Sequence, residues 1–183
     1  MKQGTVTKRF VFNNRAEDLY NVHVEVIDYL TTEAGLDDSA NFKLKVVLTE
    51  LLTNGIKHSG CDKSIIETCI QPDSIRIKKT DAGNSFSASF NGCSYRWPLP
   101  GRHFNDTIIH LYGDDNYLLK AKNQNNYRLV FFIEEQPQLS AGNEINNLSE
   151  HFGLMIIARA CDGFSYEFDI DTCSNNFTAT FKR

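Results

Sequence analysis

The sequence predicts an α+β fold, and three observations carry that expectation. A β-type alternation opens the chain, two helical stripes follow it, and further strand-like pairs return at 64–79, 117–134 and 164–182. Thr5 to Phe12 alternates, with Val6, Phe10 and Phe12 apolar, and reads as a strand. Asn14-Arg-Ala-Glu17 has the shape of a helix start, with Asn14 as cap and Glu17 reaching back. Leu19, Val22, Val26, Ile27 and Leu30 then form a helical stripe that stops at Gly35.

The second helix opens near Asp37-Asp38-Ser39 and contains the most informative stretch, Phe42 to Ser59. From Val46 onward it is apolar almost all round, with Val47, Leu48, Leu51, Leu52 and Ile56, and a helix apolar on nearly every side is packed on nearly every side. Glu50, Asn54 and Lys57 nevertheless share a narrow sector at about 100° per residue, with His58 beside it. An unpaired buried polar group costs about 1–3 kcal/mol, so this stripe faces a partner, a ligand or a wet cavity.

Ser64 to Ile70 and Ser74 to Lys79 are two β-type runs around a turn at Gln71-Pro-Asp, and they end in Asp81-Ala-Gly83-Asn-Ser-Phe86. The middle, 87–148, contains Phe90, Tyr95 and Trp97, then a Pro98-Leu-Pro100-Gly101 breaker. Two β-like runs follow, Tyr117 to Lys120 and Tyr127 to Glu134, around a turn at 123–126, and then a polar loop from Gln136 to Asn147. A helix from about Leu148 to Ala160, a turn at Asp162-Gly163, and strands Phe164 to Ile170 and Phe177 to Lys182 close the chain. The expected organisation is one domain, 1–183, with an insertion at about 87–148.

A hydrophobic fraction of 41% with 13 Phe in 183 residues is ample for one core. The net charge of −4 argues against a nucleic-acid surface. Lys78-Lys79 reads as an exposed strand end. The N-terminus has no long apolar core and no run is long enough to span a bilayer, so no membrane is expected and the expected location is cytoplasmic. Five cysteines without metal-type spacing read as reduced, mostly core thiols.

Three motifs in this order resemble the ATP-binding domain shared by gyrase, the heat-shock chaperone, histidine kinases and MutL, the Bergerat fold. The nearest likeness is to the small anti-sigma-factor serine/threonine kinases of bacteria. Glu50-Leu-Leu-Thr-Asn54-Gly-Ile-Lys57-His58 resembles the N box, and Asp81-Ala-Gly83-Asn-Ser-Phe86 resembles the first glycine box. Gly153-Leu154-Met-Ile-Ile-Ala-Arg, running into Cys161-Asp-Gly163, resembles the second. With their flanking elements they cover residues 5–86 and 148–183.

The resemblance implies a two-layer α/β sandwich, with a mixed, mostly antiparallel sheet covered by helices on one face. It implies ATP and Mg²⁺ as cofactors. Glu50 would be the catalytic base, and Asn54 would offer an amide oxygen to Mg²⁺, which takes few ligands from protein. Asp81 would accept from the adenine amino group, with Gly83 letting the backbone pass close to the base. Lys57 or His58 would supply a positive contact near the phosphates, Gly153 and Leu154 would open a phosphate-facing helix, and Phe86 would belong to the nucleotide-binding set. Implied partners are a sigma factor and a small antagonist protein phosphorylated on serine, with a homodimer as the assembly.

Two departures stand out. Ser85 replaces a glycine of the first box, and His151 replaces one in the second, so His151 is either a substitute phosphate contact or the mark of a weakened site. A second alignment, with Tyr127 to Phe132 as the strand and Glu134 or Glu135 as the acid, lacks the following glycine turn. The competing functions are a protein-binding module on the same fold with a decayed lid, and a stand-alone ATPase.

Overall fold

The opening alternation forms β1 (Val6–Phe12), and two antiparallel helices, α1 (Ala16–Ala34) and α2 (Asp38–His58), follow it. A helical hairpin returns the chain to the end it left. β2 (Ser64–Ile70) therefore starts beside the end of β1, with Phe12 opposite Ser64, and runs antiparallel to it. β3 (Ser74–Asp81) continues the sheet. The computed structural model describes residues 4–90, 93–100, 106–114, 116–136 and 151–183.

The middle segment supplies a separate hairpin, β4 (Ser87–Phe90) with β5 (Cys93–Arg96), and three strands, β6 (Ile108–Gly113), β7 (Tyr117–Asn125) and β8 (Arg128–Glu135). Then come α3 (Phe152–Ala160), β9 (Gly163–Asp169) and β10 (Ser174–Lys182). The large sheet has eight strands in the order β1-β2-β3-β10-β9-β8-β7-β6. The insertion strands thus extend the sheet beyond β9.

The chain is α+β, as expected, but the sheet is not mixed: every pairing among the described residues is antiparallel. Alternation along the strands sorts the side chains. Phe10, Phe12, Ile66, Ile75, Ile77, Ala179, Phe164 and Leu129 are buried and join the core with Val26, Leu30, Leu48 and Leu51 of the helices. Between them in sequence, Arg9, Glu67 and Lys78 form a cross-strand ion cluster on the opposite side, with N–O distances of 2.6 and 3.3 Å. α1 packs on β1 and β2, α2 on β3, and α3 on β7, β8 and β9.

Several local expectations stand and several are corrected. Gly35 ends α1 in the left-handed conformation (φ 60°), and the Asp37 side chain caps α2 by accepting from the Ala40 amide at 2.7 Å. Asn14 is not the α1 cap. Arg15 takes that position, while Asn14 sits at φ 50° and its amide donates to Ser59 Oγ and the Cys61 carbonyl. Ser64 Oγ donates back to Asn14, so this side chain ties three segments together and is unavailable for capping. Lys79 is not an exposed strand end but is 2% exposed. Of the four cysteines with described side chains, all free, only Cys69 is buried, Cys61 and Cys161 are half-buried and Cys173 is exposed, so they are not mostly core. The polar loop beyond Gln136 and the start of the last helix at Leu148 lie outside the described residues.

Candidate functional site

The polar stripe of α2 meets the beginning of α3. Glu50 and Asn54 are half-buried, whereas Lys57 and His58 are exposed. A Cβ added to Gly153 would stand 2.7 Å from Glu50 Oε2 and 3.4 Å from Asn54 Oδ1, so the first turn of α3 lies directly on the stripe and any larger residue would push the Glu50 carboxylate aside. His151, just ahead of it, holds φ 75°, a conformation that costs a residue with a Cβ but not a glycine. The backbone therefore follows a glycine path even though the residue is histidine. Burial pushes the Glu50 carboxyl above its ordinary range, and the positive charge of Lys57 pulls it partly back.

Asp81 lies at the end of β3 and is enclosed. Lys79 Nζ donates to its Oδ2, while the Gly83 amide and Asn175 Nδ2 donate to Oδ1, each at 3.1 Å. The sheet aligns this group, because Asn175 of β10 stands opposite Asp81 in register. Tyr166 Oη donates to Asn175 Oδ1 at 2.8 Å and accepts from the Phe86 amide at 3.4 Å. Burial first, then the Asp81 charge, push the Tyr166 phenol far above its ordinary value, so it remains a donor.

Gly55, one residue past Asn54, makes room for Lys79. A Cβ there would stand 2.9 Å from both Lys79 Cε and Asn14 Oδ1. Gly83 makes a close approach to the end of α2: its Cβ would fall 1.7 Å from the Ser59 carbonyl oxygen. The loop after β3 is thereby pressed onto the end of α2, where the Asn84 amide also donates to Ser59 and its side chain donates to the His58 carbonyl at 3.5 Å.

Phe86 is packed among Trp97, Phe131, Tyr166 and Phe177, with ring centroids 5.2–6.0 Å apart, and its ring centroid is 6.0 Å from that of His151. Trp97, fully buried, donates from Nε1 to Asn123 Oδ1 at 3.1 Å and joins the insertion to this cluster. Leu154 is a core residue of α3. Of the two acids in the second alignment, Glu134 pairs with Lys120 at 2.7 Å, and Glu135 is exposed at the end of β8.

No family model matches the chain, and no curated protein matches it.

The geometry brings Glu50, Asn54 and Gly153 into contact, and joins Asp81 and Gly83 to the same helix through Lys79, Gly55 and Ser59. Among the described residues His58 is tied in by its main chain, and Lys57 acts on Glu50 through its charge. Sequence reasoning missed Lys79, Asn175, Tyr166 and Gly55. The signal for Lys79 was present: Ile75, Ile77, Lys79 and Asp81 fall on one face at period two. Among the described residues no three His, Cys, Asp or Glu cluster as a metal site, and no helix is long and apolar enough to cross a membrane.

Proposed function

We propose that this chain is an ATP/Mg²⁺-binding regulatory protein of Bergerat type, a two-layer α/β sandwich related to the anti-sigma serine kinases. The observation that supports it most is the convergence of all three motifs, with Gly153 on Glu50 and Asn54, and Asp81 joined to the same helix one turn on. The glycine-type backbone at His151 supports it further, because the motif asks for glycine at that point.

The residues fit the cofactors. Mg²⁺ bound with a nucleotide takes most of its oxygens from phosphate and water, so a single amide oxygen from Asn54 suffices and no carboxylate cluster is needed. The amides of the first turn of α3 are suited to phosphate. Bound nucleotide supplies the phosphoryl group. Glu50, with its carboxyl pushed up by burial, is suited to hold the proton released by an attacking hydroxyl, and Lys57 keeps the carboxylate form accessible. Phosphoryl transfer needs mainly positioning and charge neutralisation, which this set can provide. The acceptor is a protein serine, by the family reading.

One observation favours a second reading, a protein-binding module without nucleotide turnover. Asp81 is already bonded by three donors and the aromatic cluster around Phe86 fills the adjoining core. Thermal shift with ATP or ADP, with and without Mg²⁺, separates the two. Ligand at about 100 times its dissociation constant stabilises by about 2.7 kcal/mol. The kinase-type reading expects a shift that Asp81→Asn abolishes and that loses its Mg²⁺ dependence in Asn54→Ala. A folded wild type that millimolar nucleotide leaves unmoved supports the module.

A further inference from the structure

We infer that β6 is an acid-releasable edge strand: protonation of His110 sets two cations opposite each other across the β6–β7 pair and loosens this strand while the rest of the sheet holds. The inference stands apart from the nucleotide reading and concerns the far edge of the sheet.

The register supplies the geometry. β6 ends the eight-strand order, so β7 is its one hydrogen-bonded neighbour. Ile108 pairs with Lys122, Ile109 with Ala121 and His110 with Lys120, and the register shifts directly after His110. A six-residue strand paired on one side and interrupted by a bulge belongs to the low-stability end of a sheet. Ile109, Leu119 and Ala121 are buried in the core. Alternation therefore puts His110 and Lys120 together on the opposite face.

The charges on that face are few. Lys120 Nζ lies 2.7 Å from Glu134 Oε2, and the lysine side chain is only 11% exposed, so its charge is weakly screened. Further along β7 on the same face, Lys122 is paired with Asp106 at 2.8 Å. β4, the other element packed on β6, carries no titratable group. Among the described residues Lys120 and Glu134 are thus the charges that act on His110. Although His110 is exposed, desolvation of its ring comes first in holding the imidazole below its ordinary 6.5. Repulsion from Lys120 adds to that, and Glu134 offsets part of it. A neutral imidazole is tolerated there, whereas an imidazolium is a second cation beside a single carboxylate. The docked strand binds this proton less tightly than the released strand does. Docking is therefore full above 6.5 and weakens as pH falls through the lowered value.

The test is amide hydrogen exchange by NMR on the full chain at pH 7.5 and pH 5, corrected for intrinsic rates. Protection of the β6 amides is read relative to Ile77 in the core strand β3, which removes any global change. Like charges directly opposite in an antiparallel pair are destabilising, so the relative protection of β6 should fall about two- to fivefold in acid. His110→Gln, a neutral change at an exposed position, should abolish the fall. Lys120→Met should abolish or reverse it, because the imidazolium then faces Glu134 alone. No fall in the wild type, or the same fall in His110→Gln, overturns the inference. If Lys120→Met does not fold, His110→Gln decides alone.

Discussion

Glu50 and Asp81 are two carboxylates attached to one helix–sheet junction, and their surroundings are opposite in kind. Glu50 is half-buried against the first turn of α3, beside Asn54 and Gly153. Asp81 is 5% exposed and locked by a lysine, an amide and an asparagine. At the first, desolvation outweighs attraction, so the proton is held more tightly. At the second, direct hydrogen bonds satisfy the charge. One end of the site is adaptable and the other is built. Under the proposed function, chemistry that moves a proton would belong to the first, and recognition of a fixed group to the second.

The sharpest way to break this contrast is to remove the buried cation. Lys79→Met leaves Asp81 charged and uncompensated, a loss of about 3–5 kcal/mol. Combined with Asp81→Asn, most of that loss should return, measured by urea denaturation. A small effect of Lys79→Met alone would mean that Asp81 is not sealed.

Two glycines sharpen the contrast further. Gly83→Ala drives a Cβ into the Ser59 carbonyl, a backbone atom that cannot swing away, and should cost about 1–3 kcal/mol or more. Gly153→Ala meets the far end of Glu50, which can turn aside, and alanine gains up to about 1 kcal/mol of helix propensity, so its stability should stay near wild type. Under the proposed function its nucleotide response should nonetheless fall, because the displaced carboxylate and Asn54 line the proposed site. Thermal melts of the two variants, with and without Mg-ATP, check both statements.

At the adaptable end, His151→Gly relieves a left-handed residue and should raise stability by up to about 1 kcal/mol in a denaturation curve. The smallest effect is a pH dependence. Because the Glu50 carboxyl is raised, the native state binds its proton more tightly than the unfolded chain does. The stability this contributes is full below the ordinary value of 4.5 and is lost as pH rises through the raised value. Glu50→Gln should therefore match wild type in acid and exceed it in Tm at neutral pH.

Much of this was legible in the sequence, for identifiable reasons. Period-two and helical spacing located β1, α1, α2, β2, β3 and the closing hairpin, because each has one apolar face. The insertion was legible only as β-like runs. Nothing local in Tyr117 to Lys120 says which edge of a sheet it joins, whereas the structure sets β8 against β9. The stripe of α2 announced Glu50 and Asn54 because polar residues on an apolar helix demand a partner. Lys79 was read through its neighbour Lys78 as surface charge, although alternation placed it inward. Asn14 misled because capping chemistry and long-range bonding use the same amide, and only the fold decides which is made.

The most direct test of the central claim, that three separated motifs form one nucleotide site, is amide NMR titration with Mg-ATP. The amides of Asn54, Gly83 and Gly153 should shift together with a single dissociation constant, while Ile108 at the far edge of the sheet stays still. Shifts confined to one motif, or to the outer face around Glu67, would contradict it.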